Sequence, residues 1–173
     1  MVKYYNAMVV FEEIPNEITL AINITNCPCH CKGCHSKFLW DDVGTLLTSD
    51  ELDRLIDKND GITTVCFMGG DRNPLTINAL AEYVHEVRQL KVGWYSGMDE
   101  LSSEVNLDWF DFVKIGHYDE EFGGLNKKTT NQIFYKVNHY NMPMQRINYG
   151  SPNESIMVKH NELEDITKLF WKK

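Results

Sequence analysis

The residues able to do chemistry in this chain are crowded into one short run. Cys27, Cys29, Cys31 and Cys34 fall within eight residues, in Asn26-Cys27-Pro28-Cys29-His30-Cys31-Lys32-Gly33-Cys34-His35, and the fifth cysteine, Cys66, stands alone. A disulfide scaffold spreads its cysteines along the chain, whereas a tight cluster reads as a metal or redox site. Thiolates are soft donors that select iron–sulfur clusters, zinc or cuprous copper. Cys27, Cys31 and Cys34 have the spacing C-x3-C-x2-C. A cubane iron–sulfur cluster ordinarily takes four thiolates, so three leave one iron open to bind something else, as catalytic metal sites differ from closed structural ones. The competing reading is a structural zinc ion held by Cys27, Cys29, Cys31 and Cys34, with His30 or His35 as substitutes, in a non-catalytic interaction module. Structural zinc usually draws on two separated knuckles, and here every candidate lies in one loop. Cys66, inside an apolar stretch, reads as a small buried hydrophobe.

The elements that must hold this loop can be read from hydrophobic period. Ile18 to Thr25 alternates branched apolar with small or polar residues, the pattern of a half-buried strand, and runs straight into the cysteines. Thr48-Ser49-Asp50-Glu51 has capping-box spacing, with Thr48 accepting from the third helical amide and Glu51 reaching back, so a helix is expected to start there. Leu52, Leu55 and Ile56 share its inner face, and Gly61 stands where a left-handed residue is wanted. Ile62 to Met68 is a continuous apolar run, as in a parallel strand covered on both faces, and Gly69-Gly70-Asp71 ends it. Asn73-Pro74 supplies a cap and first-turn proline for a second helix with Ile77, Leu80, Ala81, Val84 and Val87 inward. Lys91 to Tyr95 and Phe112 to Ile115 are further short strands, and Glu162 to Trp171 reads as a terminal helix. Strand, helix, strand, helix, strand predicts an α/β fold with a mostly parallel sheet. Ligands of such sheets sit at the carboxyl ends of the strands, where both the cysteine run and Gly69-Gly70 fall.

Composition sets bounds. The 173 residues are 43% hydrophobic and 24% charged, an ordinary globular balance, and no repeat or linker divides them, so one domain over 1–173 is expected. Seventeen Lys and Arg against 25 Asp and Glu give a formal charge of −8, which disfavours binding to a phosphate backbone. No apolar run approaches the ~20 residues of a membrane span, and the N-terminus shows only the short apolar stretch Ala7 to Phe11, so a cytoplasmic protein is expected. The Asn-x-Ser/Thr triplets at Asn23 and Asn153 then read as chance.

The C-x3-C-x2-C run after the first clear strand resembles the signature of the radical S-adenosylmethionine superfamily. The likeness extends through Ile22-Asn23-Ile24-Thr25, Cys34-His35-Ser36 with Leu39-Trp40, and Phe67-Met68-Gly69-Gly70-Asp71. It continues through Trp94-Tyr95-Ser96-Gly97, Phe112-Val113-Lys114-Ile115-Gly116, Thr130-Asn131-Gln132 and Phe170-Trp171-Lys172-Lys173. Together these stretches are most similar to the activating proteins of anaerobic ribonucleoside-triphosphate reductases. The resemblance implies a partial (β/α) barrel of radical SAM type forming a single domain. It implies a [4Fe-4S] cluster on Cys27, Cys31 and Cys34 whose fourth iron is chelated by S-adenosylmethionine. Reductive cleavage would then yield a 5′-deoxyadenosyl radical that takes a hydrogen atom from a glycine of the reductase, the glycyl-radical partner, with a flavodoxin-type electron donor. An activase of the pyruvate formate-lyase type is the neighbouring alternative.

The same resemblance places Gly33 and His35 near the adenine and Gly69-Gly70-Asp71 along the methionine part of the cofactor. Glycines allow close backbone approach and expose carbonyls to an ammonium group, and Asp71 adds a charge-assisted contact. Ser96, at a strand end, is able to hydrogen-bond the cofactor's polar groups, and Lys114, polar in an apolar strand, is able to face a carboxylate or to snorkel at an edge. Two features depart from the family pattern: Cys29 adds a fourth thiol inside the motif, and Pro74 lies further along than in the commoner Gly-Gly-Asp-Pro arrangement.

Overall fold

The computed structural model describes residues 1–143 and 157–171. Asn153 and Lys172-Lys173 lie outside them. The strands are β1 (Lys3–Val10), β2 (Thr19–Ile24), β3 (Thr45–Leu46), β4 (Thr64–Met68), β5 (Lys91–Tyr95), β6 (Phe112–Ile115), β7 (Ile133–Pro143) and β8 (Met157–Asp165), and the helices are α1 (Ser49–Asp57) and α2 (Pro74–Tyr83). All eight strands form one sheet in the order β3-β1-β2-β4-β5-β6-β7-β8. The fold is therefore mixed α/β. The expectation of a mostly parallel sheet is corrected: the central pairings β2–β4, β4–β5 and β5–β6 are parallel, while the flanking β1–β2, β1–β3, β6–β7 and β7–β8 pairings are antiparallel. Crossovers through α1 from β2 to β4, through α2 from β4 to β5, and through a connection carrying only the 3-10 turn Leu107–Trp109 from β5 to β6 make the centre parallel, while the strands at both margins pair antiparallel.

The parallel strands read as continuous apolar runs because both faces are covered. Leu20, Ile22, Ile24, Val65, Phe67, Val92, Trp94 and Val113 form one core cluster with Leu52, Leu55 and Ile56 of α1 and Ile77, Leu80 and Ala81 of α2. The alternate residues face the other way, where Cys66, Phe112 and Phe134 pack on Ile14. Ile14 belongs to the β1–β2 connection and is fully buried. A Cβ at Gly93 would come within 2.6 Å of Ile14 Cδ1 and 3.1 Å of Cys66 Sγ, so the absence of a side chain there is what lets Ile14 seat. The same connection is tied down by Glu17, whose buried carboxylate accepts hydrogen bonds from Thr63 Oγ1 at 2.6 Å, Thr64 Oγ1 at 3.0 Å and Lys91 Nζ at 2.5 Å.

Local signals locate both helices. Thr48 accepts from the Glu51 amide at 3.2 Å, but Glu51 does not reach back. Its carboxylate takes donors of longer reach, Arg54 at 2.7 and 2.8 Å and the Tyr4 hydroxyl. Asn73 caps α2 through the Thr76 amide at 3.1 Å. After α2 a π turn, Val84–Arg88, widens the helix before Gln89 closes it with φ +53°. The inserted turn rotates the inner face, so Val84 is buried whereas Val87 is 60% exposed, against the even spacing expected for it. The expected terminal helix over Glu162 to Trp171 is also corrected. Residues to Asp165 complete β8, and only Thr167–Phe170 forms a 3-10 turn. Glu162 and Glu164 are exposed while Leu163 packs toward the core, a period of two that a short helical reading had absorbed. Pairing with β7 decides the matter.

Candidate metal centre

The cysteine run leaves the carboxyl end of β2 through a sharp turn. Asn26 has φ +61° and His30 φ +44°, the left-handed region that asparagine and histidine tolerate better than branched residues. The Asn26 amide donates to Asp41 O and the Cys27 amide to Leu39 O, both at 3.0 Å, which pins the first thiol to the returning chain. His30 stacks on Trp40 with ring centroids 4.7 Å apart and planes 4° from parallel. Gly33 has φ +76°, and a Cβ there would meet Glu120 at 3.0 Å. The Cys34 amide donates to Cys31 O at 3.2 Å, and the Ser36 amide donates to Cys34 Sγ at 3.3 Å.

All four thiols of the run are half-buried and line one cavity of about 200 Å³, closed on the sheet side by Asp71, Ser96, Lys114 and Gln132. The parallel strands deliver these groups because β2, β4, β5 and β6 run the same way and end at the same level. The Asp71 carboxylate accepts from Ser96 Oγ at 2.5 Å and from the Gly97 amide at 3.0 Å. Lys114 is 7% exposed and donates to Ser96 O at 3.2 Å and Gly116 O at 2.5 Å. Burial pulls its pKa down to about 8, opposed by the negative charge of Asp71, Cys31, Cys29 and Asp99. The Cys29 thiol donates to Cys27, which lowers the Cys27 pKa to about 6; burial and Asp71 oppose this, and the Cys29 and His30 amides assist. Cys29 is correspondingly pushed up, first by that hydrogen bond and then by burial.

The remaining expected site residues are divided between the cavity and its surroundings. Gly69 lines the cavity, with its amide donating to Tyr95 O and its carbonyl accepting from Trp94 Nε1, both at 2.8 Å. Gly70 turns away: it has φ +95°, and a Cβ would stand 2.5 Å from Ile77 Cδ1, so it serves the seating of α2. Gly33 lies against Glu120, and His35 is exposed with its Nε2 3.1 Å from the Tyr118 hydroxyl; neither lines the cavity. Tyr95, Met68 and Gln132 line it without having been singled out beforehand. Tyr95 and Met68 carried a usable signal, since they share strand parity with Lys114 and Cys66. Cys66 is fully buried, 3.6 Å from Met68 Sδ, and is not part of the cavity.

The donor set fits a cluster. Its four thiols are soft donors within one loop, the kind that iron–sulfur clusters select, and among the described residues no group of three His, Cys, Asp or Glu side chains is placed to hold a single metal ion. The amide donated to Cys34 Sγ is the kind of contact that tunes cluster sulfur. No helix among the described residues is long and apolar enough to cross a membrane.

Comparison with curated proteins and with solved structures gives no significant match. A family model described as a 4Fe-4S single cluster domain matches residues 18–136, from the start of β2 into β7.

Proposed function

Because the chain belongs to the 4Fe-4S single cluster domain family, we propose that it is a radical S-adenosylmethionine activating enzyme that installs a glycyl radical on an anaerobic ribonucleoside-triphosphate reductase. The observation that carries this reading is the composition of the thiol cavity. Four thiols share it with one carboxylate, Asp71, and one buried ammonium, Lys114. A closed electron-transfer site needs no such pair beside it. An amino acid carries both complementary charges at one end, as S-adenosylmethionine does.

In this reading Cys27, Cys31 and Cys34 hold the cluster, and Cys29 supports Cys27 by its hydrogen bond and by contact with Met98 Sδ at 3.9 Å. Once bound, the cluster supplies the electron that splits the sulfonium bond of S-adenosylmethionine, so that a hydrogen atom can be drawn from a glycine of the partner. Asp71 orients an ammonium group. It is held for this by Ser96 and the Gly97 amide, which fix its rotamer before the ligand arrives. Lys114 faces a carboxylate. Its partners are two neutral carbonyls, so it is bonded but its charge is not cancelled by direct contact. The parallel strands β2, β4, β5 and β6 form the core of a partial barrel in this account, and a flavodoxin-type protein supplies the electron.

Anaerobic reconstitution should load about four iron atoms per chain, the stoichiometry of the cluster, and reduction should cleave S-adenosylmethionine. Electron paramagnetic resonance of a mixture with the reductase should then show a glycine-centred doublet. Zinc occupancy without cleavage would reject the enzyme reading. A doublet obtained only with a pyruvate formate-lyase type partner would reassign the substrate.

A further inference from the structure

Cys29 lines the same cavity of about 200 Å³ as Cys27, Cys31 and Cys34, and a cubane iron–sulfur cluster is completed by four thiolates. Its surroundings place its sulfur beside the ligand end of the site. A Cβ at Gly97 would stand 2.7 Å from Cys29 Sγ and 3.7 Å from Asp71 Oδ2, and the Gly97 amide donates to that same carboxylate oxygen at 3.0 Å. Thiol and carboxylate therefore stand over one glycine, and a ligand end that reaches Asp71 arrives at Cys29. One residue further on, His30 has φ +44° and stacks on Trp40, which holds the loop in this course.

The contacts of the sulfurs differ in kind. Cys27 receives the amides of Cys29 and His30, and Cys34 Sγ receives the Ser36 amide at 3.3 Å; amide donors favour a thiolate that stays on a metal. Among the described residues, Cys29 Sγ hydrogen-bonds only to other sulfurs, the Cys27 thiol and Met98 Sδ at 3.9 Å, and a thioether is a weak acceptor. The charges around it are mixed. Asp71 and the neighbouring thiolates of Cys27 and Cys31 oppose a further negative charge there, while the buried Lys114 ammonium favours it. A thiolate opposed by a carboxylate and short of amide donors is a ligand that another donor can replace.

We propose that Cys29 is an exchangeable fourth ligand, which closes the cluster while no substrate is bound and yields its iron to the amino-acid end of S-adenosylmethionine. The exchange needs neither oxidant nor reductant. The bond between iron and Cys29 Sγ breaks, bonds from the incoming amino nitrogen and carboxylate oxygen form, and the proton that the ammonium gives up passes to the Cys29 thiolate. A closed resting site withholds the exchangeable iron from oxygen and chelators until the substrate arrives. The identity of the incoming ligand rests on the activating-enzyme reading, and the closed resting state rests on the cavity alone.

The test uses the full chain reconstituted anaerobically. Treated briefly with ferricyanide without S-adenosylmethionine, wild type should keep about four iron atoms per chain, whereas Cys29→Ala should fall to about three and acquire the electron paramagnetic resonance signal of a three-iron cluster. Iodoacetamide labelling, located by peptide mass, needs no variant: Cys29 should be labelled in the metal-free protein, protected in the cluster-loaded protein, and labelled again once S-adenosylmethionine is added. Equilibrium dialysis should show Cys29→Ala binding S-adenosylmethionine about tenfold more tightly than wild type, as expected when a closed form holding about nine-tenths of the molecules is removed. Wild type that loses iron as readily as Cys29→Ala, or whose Cys29 is labelled equally with and without S-adenosylmethionine, overturns the proposal; if that protein still cleaves S-adenosylmethionine, the activating-enzyme reading stands. If S-adenosylmethionine neither binds nor exposes Cys29 while Cys29→Ala alone loses iron, Cys29 is a permanent ligand, and the exchange and the activating-enzyme reading fall together.

Discussion

Gly97→Ala is a small change that reports on the whole thiol site. Gly97 is outside the positive-φ residues, so an alanine there meets no backbone strain. Its Cβ would instead stand 2.7 Å from Cys29 Sγ, 3.4 Å from Cys29 Cβ and 3.7 Å from Asp71 Oδ2. Ordinary contacts lie near ~3.5–4.0 Å, so the sulfur must retreat by about 1 Å. Overpacking of this kind costs about 1–3 kcal/mol. The displaced sulfur shares the thiol cavity with Cys27, Cys31 and Cys34 and is driven into the space they need, so cluster loading should drop together with stability. Cys29→Ala removes the clashing sulfur and leaves the 3.4 Å contact with the residue-29 Cβ and the 3.7 Å contact with Asp71 Oδ2, both ordinary. The double variant should therefore match Cys29→Ala alone in urea midpoint and in iron per chain after anaerobic reconstitution, an interaction energy of about 1–3 kcal/mol recovered between neighbouring residues. Loss of iron from Gly97→Ala that Cys29→Ala does not restore would refute the argument, as would a Gly97→Ala protein indistinguishable from wild type.

Other expectations follow from the same geometry. Cys27→Ala, Cys31→Ala and Cys34→Ala should each abolish the cluster's visible absorbance while Cys29→Ala retains it; the opposite pattern would reject the choice of ligands. Gly61→Ala and Gly70→Ala both place alanine at positive φ, +83° and +95°, but nothing lies within 4 Å of the first whereas Ile77 lies 2.5 Å from the second. Gly61→Ala should cost about 1–2 kcal/mol and Gly70→Ala about 2–5 kcal/mol in chemical denaturation, with part of the excess recovered by Ile77→Val. Equal costs would show that the Ile77 contact is unimportant. At Glu17 burial raises the pKa, but hydrogen bonds from Lys91, Thr63 and Thr64 outweigh it and hold the group below its ordinary 4.5. A carboxyl depressed by folding stabilises above its unfolded value, and that stability is lost as pH falls from 4.5 through the folded value. Glu17→Gln should flatten this acid limb in urea titrations and lower neutral-pH stability by about 1–2 kcal/mol; an unchanged slope would refute the linkage.

Much of the site was open to reading because it depends on neighbours in the chain. The thiol spacing, the Thr48 and Asn73 caps and the apolar runs of β4 and β5 are short-range patterns, and the residues predicted at the strand ends, Asp71, Ser96 and Lys114, meet at the cavity. One expectation failed on period: Glu162 to Asp165 suits a short helix as well as a strand, and only pairing with β7 separates them. Val87 illustrates a different failure, since a π turn shifts an inward position outward without any change in residue type.

The order of the residues alone determined which donors are soft, how closely they follow one another, and that a parallel unit places them at strand ends. Tertiary structure alone decided that Gly97 stands under Cys29, that Gly70 serves Ile77 and not the cavity, that Glu51 turns to Tyr4 and Arg54, and that Tyr95, Lys114 and Gln132 line the thiol cavity. The physical reason is range. Backbone propensity and ligand spacing act over a few residues, whereas a contact between side chains from different strands exists only after the sheet register has brought them to the same level.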